Sequence, residues 1–362
     1  MISLSLLVLA AWPFGLALAR PAPPLSPHLV VAGVPQYVLD YGMWQIDERP
    51  KASMLMLTSN NAAPLVYMDT KEVYFPSDLG AQVANTHPDI NLTELPNPPS
   101  PLVLENLDAL NAVGNGGKDV YLTSNIDVTT SPSWLEGVAP DSTGKTNQAT
   151  SAAVITTDHG SGLVDAFYMY FYAYNQGNTV LGQELGDHIG DWEHNMVRFQ
   201  DGVPQTVWYS QHSNGQAFTY KAVEKLGIRP VAYSARGSHA NYAITGKHDH
   251  TIPDVNLPDG LLVDNTSKGL LWDPTLSSFF YNFHPADSTF ESINGSPVQA
   301  MNFKGKWGDQ QYAKDDKRQP PPFFGFYKYV GGPTGPYDKQ LNRSKVCPDN
   351  GILCIVRDKL GP

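Results

Sequence analysis

An antiparallel β-sandwich carrying a few short helices and long loops is the fold that this sequence predicts, and three observations predict it. Turn formers and strand formers dominate: 31 glycines, 30 prolines and 18 tyrosines occur among 362 residues, while the charged fraction is only 16%, against roughly 25% in an average domain. Period-two alternation is clear in one long segment, and three shorter segments are β-branched or aromatic and bounded by turn formers. Helical periodicity is poor almost everywhere, so strands and loops have to carry the core. With 41% hydrophobic residues, the chain can bury one large core or two modest ones, as a soluble globular protein does.

The elements follow in chain order. Residues 1–19, MISLSLLVLAAWPFGLALA, are apolar, short for a membrane span, and end in the small-x-small pattern Ala17-Leu18-Ala19, which reads as a secretory signal peptide cut before Arg20. No basic residue leads that segment, so an uncleaved anchor is the competing reading. Residues 20–33 form a proline-rich lead-in that stays extended, and a β-rich domain occupies 34–362. The turn-rich segment 140–151 either divides off an N-terminal part or lies within one elaborated domain. PNPPSP at Pro96–Pro101 and QPPPFFG from Gln319 mark further loops. A short helix is expected within Ser77–Thr86, capped by Ser77 and carrying Leu79, Val83 and Ala84.

The clearest strand is Leu163–Tyr174, where Phe167, Met169 and Phe171 alternate with Tyr168, Tyr170, Tyr172 and Tyr174. One face is core. The tyrosine face is amphipathic: its ordinary role is packing, although its hydroxyls could also serve a cleft. Shorter strands are expected at Glu193–Phe199, Gln205–His212 and Arg229–Ala235, each aromatic or β-branched and bounded by Gly, Pro or Asn.

The balance of 35 acids against 24 bases, net -11, argues against nucleic acid as a partner and leaves cations as natural company. The two cysteines, Cys347 and Cys354, flank a Pro-Asp-Asn-Gly turn, and in an oxidising lumen they are expected to form a local disulfide. Four N-x-S/T sequons, at Asn91, Asn265, Asn294 and Asn342, fit the same compartment as glycosylation sites.

Chemistry concentrates in GDHIGDWEHNMVRF, Gly186–Phe199. On a strand, Asp191, Glu193, Asn195, Val197 and Phe199 project one way, and Trp192, His194, Met196 and Arg198 the other. Two carboxylates on one face repel, and burying them unpaired costs several kcal/mol, so a divalent cation, an arginine or open water has to compensate. His212 and His239 follow at strand ends, and with His188 they supply imidazoles that suit a divalent Mg, Ca, Mn or Zn ion. The candidate metal set is therefore Asp191, Glu193, His212, His239 and His188. Arg236 is the competitor that could neutralise Asp191 or Glu193 in place of a metal. Asp187, Trp192, Tyr172 and Tyr174 are candidates for the rim of the same pocket. Asp158 and His159 read as an exposed turn, and Trp307, Asp309 and Tyr312 as a structural block.

These residues support three functions. A binding protein would use the pocket to engage a glycan, a lipid headgroup or a cargo protein. A metal-assisted hydrolase would use Glu193 or His239 as general base. A secreted cytolysin-like effector would act on membranes. A serine hydrolase is disfavoured, because no G-x-S-x-G elbow surrounds Ser210 or Ser238.

Several blocks carry a resemblance. APLVYMDTKEVYFPSDLGAQVANTHPDIN (Ala63–Asn91), GDHIGDWEHNMVRF, YSQHSNGQ, YSARGSHANY, GKWGDQQY (Gly305–Tyr312) and RQPPP resemble, in order, the vacuolar protein sorting-associated protein 62 family of fungi and its plant relatives. That resemblance implies a secretory-pathway protein, vacuolar or extracellular, with a role in targeting proteins to the vacuole. More locally, GDHIGDWEH is similar to the Gly-His-Arg-His-Asp-Trp-Glu heptapeptide of the necrosis- and ethylene-inducing-peptide-like proteins, secreted β-sandwich cytolysins with a divalent metal. This second resemblance implies that His188, Asp191, Trp192 and Glu193 match the heptapeptide and that His212 matches a later cavity histidine. Asn175 stands where that family has an acid.

Overall fold

The computed structural model describes residues 31–39, 62–249, 260 and 262–361. The expected signal peptide and most of the 20–33 lead-in lie outside the described residues. What is described is mainly β, and its body is two sheets packed face to face with a third layer of short helices, loops and a small three-stranded sheet, Thr93–Glu94, Thr86–Ile90 and Tyr121–Ser124, behind the larger one.

The long sheet has eight strands in the order Thr289–Ile293, Ser278–His284, Ala152–Asp158, Leu163–Asn175, His188–Gln200, Val203–Gln211, Asn214–Thr219 and Val356–Arg357. Its neighbours are antiparallel except at two places, where Ser278–His284 runs parallel to Ala152–Asp158 and Val356–Arg357 parallel to Asn214–Thr219. At its centre are the aromatic strand, Leu163–Asn175, and the acidic strand, His188–Gln200, paired from Leu163↔Gln200 to Asn175↔His188. The short sheet runs Lys225–Leu226, Arg229–Ser234, Leu65–Tyr67, Leu271–Trp272, with Asn241–Tyr242 beside Arg229–Ser234. Leu65–Tyr67 is parallel to one neighbour and antiparallel to the other. The N-terminal segment thus supplies an interior strand of the main body. Arg229 fastens it further, donating from Nε to the Ala63 carbonyl at 2.7 Å while its guanidinium grips Asp273 at 2.6 and 2.9 Å.

The alternation along the aromatic strand is a division between two cores. Tyr168, Tyr170 and Tyr172 join Val197, Phe199 and Tyr209 against Val66, Met68, Ala232 and Trp272 of the short sheet side. Phe167, Met169 and Phe171 join Trp192, Met196 and Trp208 against Leu79, Leu107, Met301 and Trp307 behind. Burying each such side chain contributes about 1.5–3 kcal/mol. Tyrosine suits the inter-sheet face because three of its hydroxyls reach acceptors there: Tyr168 donates to the Val38 carbonyl at 3.0 Å, Tyr170 to Asn195 Oδ1 at 2.9 Å and Tyr209 to the Val231 carbonyl at 3.0 Å. The face is packing, and the hydroxyls are spent inside it.

The expected helix forms as Leu79–Ala84, but its cap is Asp78, whose carboxylate accepts from Ala81 N at 2.7 Å and from Thr150 N at 2.7 Å. Ser77 is drawn into the sheet instead, its amide bonding the Phe171 carbonyl at 2.8 Å. Cys347 and Cys354 form the expected disulfide. Among the described residues no helix is long and apolar enough to cross a membrane.

Candidate functional site

The acidic strand starts beside a two-strand hairpin, Asn178–Val180 with Gln183–Leu185. Asp187 is the fastener. It is fully buried, its Oδ1 accepts from Gly177 N at 2.8 Å, its Oδ2 accepts from Tyr174 OH at 2.7 Å, and Lys328 Nζ lies 3.5 Å away. Backbone bonds from Asp187 N to the Lys328 carbonyl and from Val330 N to the Asp187 carbonyl bind the segment 323–330 alongside. Burial and the neighbouring Glu184 push the Asp187 carboxyl up to about 7.

Hairpin and segment are two walls of a cleft of about 870 Å³. One side of it is apolar, with Leu181, Leu185, Phe323, Phe324, Phe326 and Tyr327; the other carries Asn175, Gln211, Asn214, Gln216 and Ser238 together with His188 and His212. His188 Nδ1 faces the Gly190 carbonyl at 2.8 Å, so that nitrogen carries the proton. Burial lowers the pKa of His188, and the neutral ring keeps a lone pair on Nε2.

Behind this floor lie the two acids. Asp191 Oδ2 is 3.0 Å from His239 Nδ1, and His239 Nε2 is 3.0 Å from the Tyr74 carbonyl. Both ring nitrogens of His239 face acceptors, so both donate and the ring is an imidazolium. Burial opposes that charge, but the Asp191 hydrogen bond and the nearby Glu72 raise its pKa. Burial likewise opposes the Asp191 charge, yet the His239 hydrogen bond and the nearby imidazoles hold it below the usual carboxylate range. Glu193 Oε1 accepts from His212 N at 3.3 Å, and burial followed by the Asp191 charge pushes its carboxyl up to about 7. His212 Nε2 meets Asp264 Oδ2 at 2.9 Å. Burial opposes the His212 charge, but the Asp264 carboxylate overrides it and pushes the imidazole up to about 9.

The five residues read as metal ligands are therefore brought to one corner, where the charges of Asp191, His239 and His212 all act on His188. Their donor atoms are largely taken by the protein. His239 offers no lone pair, Asp191 is engaged with it, and His212 is held by Asp264. Among the described residues no three His, Cys, Asp or Glu side chains group to hold a metal ion.

The rim residues separate. Asn175 lines the cleft and donates from Nδ2 to the Gly186 carbonyl at 3.0 Å. Tyr172 is buried between the sheets, its ring stacked on His239. Tyr174 and Asp187 bond each other behind the wall. Trp192 points to the opposite face, between Phe171 and Trp307 at 4.9 and 5.4 Å, as the alternation of the strand requires. Arg236 is exposed and fixed by its amide to the Asn265 carbonyl; Asp191 takes His239 as its partner instead. His159 pairs with Asp165, itself bidentate with Arg198, at the far end of the long sheet. Trp307 is a core residue and Tyr312 bonds Asp309. Of the sequon asparagines, Asn91, Asn294 and Asn342 are exposed, while Asn265 is half-buried in the strand Val263–Thr266.

Asp264 escaped the sequence reading. It is buried and collects Ser238 Oγ at 2.7 Å, Tyr242 OH at 2.8 Å and His212, yet it sits alone among the polar residues of VDNTS with no periodic signal. The aromatic wall was legible only as a loop, because three prolines precede Phe323.

A model of the family described as vacuolar protein sorting-associated protein 62 matches residues 142–313. Vacuolar protein sorting-associated protein 62 of Saccharomyces cerevisiae is 32% identical, over 95% of this chain and 76% of its own length. A second Saccharomyces cerevisiae protein, TDA6, also named as vacuolar protein sorting-associated, is 37% identical over 79% of this chain and 67% of its own length. Among solved structures, the non-toxic HaNLP3 protein is similar with a TM-score of 0.27 and 11% identity, over 67% of this chain and 76% of that one. NLPPya in complex with mannosamine follows at a TM-score of 0.22 and 14% identity, over 46% of this chain and 64% of that one. With such identity sustained over most of both sequences, the chain belongs to the vacuolar protein sorting-associated protein 62 family.

Proposed function

We propose that this chain is a ligand-binding protein of the vacuolar sorting route, that the cleft above His188 and His212 is its site, and that a glycan is its occupant. The role in the route rests on the names of the yeast relatives. The class of ligand rests on one observation: the lining of the cleft combines neutral polar side chains with aromatic ones. Asn175, Gln211, Asn214, Gln216 and Ser238 bring neutral polar groups to the cleft, and Phe323, Phe326 and Tyr327 bring aromatic surface to the same cleft. A sugar ring has a hydroxyl edge and an apolar C–H face, and needs both in one pocket. The buried pair Asp191–His239 and the pair His212–Asp264, buried at the aspartate, stiffen the floor on which the amides stand.

The test is calorimetric titration of the full chain with mannose, glucose and N-glycan oligosaccharides. Binding that weakens about tenfold in Gln216→Ala and again in Phe326→Ala, roughly 1.4 kcal/mol each, supports the reading. An absence of heat across all these sugars, or binding indifferent to both substitutions, would sink it.

A further inference from the structure

Two tight turns at the mouth of the cleft break the same local rule. Val180 pairs with Gln183 across Leu181-Gly182, with φ of 49° and 81°. Phe323 bonds Phe326 in both directions, at 2.8 and 2.9 Å, across Phe324-Gly325, with φ of 50° and 87°. Positive φ at both central positions is the mark of a type I′ turn, whose first position takes Asn, Asp or Gly, because a side chain branched or bulky beyond Cβ is strained there. The chain obeys this rule elsewhere: Asp201-Gly202, φ 51° and 76°, joins Gln200 to Val203. At the cleft the position holds leucine and phenylalanine, which are 70% and 80% exposed. Each turn thus combines an unfavourable backbone with a large apolar side chain held out in water. Departures of that kind persist where they serve function.

We propose that Leu181 and Phe324 are two apolar fingers that insert into the interfacial layer of a lipid bilayer, turning the mouth of the cleft toward the membrane. This goes beyond the sugar-binding reading and does not depend on it. Several features select a bilayer over a protein. Two turn tips and the Phe323 ring packed on Phe324 at 4.6 Å are small against the roughly 800 Å² per partner of a stable protein interface, whereas exposed apolar side chains acting together with an interfacial charge fit reversible binding to the lipid interface. Arg357 lines the same cleft and is exposed, placing a guanidinium where lipid phosphates would lie. A second copy of this chain would bring another net charge of -11 against the first.

The experiment is co-sedimentation of the full chain with phosphatidylcholine vesicles, with and without phosphatidylinositol, using Leu181→Asn, Phe324→Asn and the double variant. Asparagine is at home at the first position of a type I′ turn, so these variants melt no lower than the parent and a loss of binding cannot be ascribed to unfolding. The expected result is vesicle binding by the parent, roughly tenfold weaker in each single variant and weaker still in the double. Leu92→Gly, at an exposed turn residue that does not line the cleft, leaves binding unchanged. A parent that stays in the supernatant with both vesicles overturns the proposal, as do variants that sediment as well as the parent. Self-association that the double variant abolishes, without vesicle binding, overturns it in favour of a second copy.

Discussion

The imidazole of His239 lies flat against the ring of Tyr172, with centroids 3.7 Å apart and planes 3° from parallel. The contact joins the two sheets, because Tyr172 belongs to the aromatic strand and His239 follows the Arg229–Ser234 strand. It also covers one face of a charged ring, in the manner of a cation over an aromatic system. His239 therefore cannot leave without exposing Asp191 to an apolar core.

Replacing His239 by alanine strands the buried Asp191 carboxylate, and removing one partner of a buried pair costs about 3–5 kcal/mol. Asp191→Asn, which removes the charge and keeps the shape, is expected to cost less. Urea unfolding of both variants checks this order. A His239→Ala variant within about 1 kcal/mol of the parent would mean that water or another cation already shields Asp191.

Asp264 governs His212. In Asp264→Asn the imidazole loses the carboxylate that holds it at about 9, and its titration should move back toward the ordinary 6.5. Ring-proton NMR reads this directly. A His212 that keeps a high pKa would transfer the effect to Glu193 and Asp191, the other acids acting on it.

The pH dependence of stability follows with a defined sign. His212 is raised in the folded state, so its contribution is complete below the unfolded value of 6.5 and is lost as pH rises toward about 9. Asp187 and Glu193, both raised to about 7, act the same way over a lower window, stabilising in acid and losing that contribution as pH rises through 7. His188, His194 and His248 are lowered, so they cost stability as pH falls below 6.5. Only the window from 7 to 9 is thus free of opposing histidines. His239 is raised as well and loses its contribution as pH rises above 6.5, so the melting temperature is expected to decline across this window in the parent and less steeply in His212→Asn; an equal decline in both would assign the slope to His239 or another group.

The aromatic and acidic strands were legible because aromatic residues alternating at period two place one whole face in a core, which an extended strand does and a helix does not. The same pattern placed Trp192 opposite Asp191, so its assignment to the rim conflicted with the alternation itself. Other features were illegible for physical reasons. Leu65–Tyr67 is a strand of three residues and owes its place to neighbours more than a hundred positions away. Asp264 draws its partners from two segments, at His212 and at Ser238 and Tyr242, and no local spacing encodes that. Asp191 and Glu193 stood out because like charges on one face need a counter-charge, although proximity alone could not reveal that histidines would supply it.

Gly190 lies near the start of the acidic strand, between His188 and Asp191. Its φ is +68°, and a Cβ there would lie 2.0 Å from the Trp307 carbonyl oxygen. That oxygen is backbone, and Trp307 is packed edge-on against Trp192 at 5.4 Å, so neither can yield cheaply. The Gly190 carbonyl also takes the proton of His188 Nδ1, which fixes the ring at the cleft floor. Gly190→Ala is therefore expected to cost about 3 kcal/mol or more and to disturb the His188 resonance. Gly182, at φ +81° with no atom within 4 Å of the same position, has only the backbone cost, and Gly182→Ala should lose about 1 kcal/mol. Equal losses in the two variants would show that the contact with Trp307 does not hold the acidic strand in register.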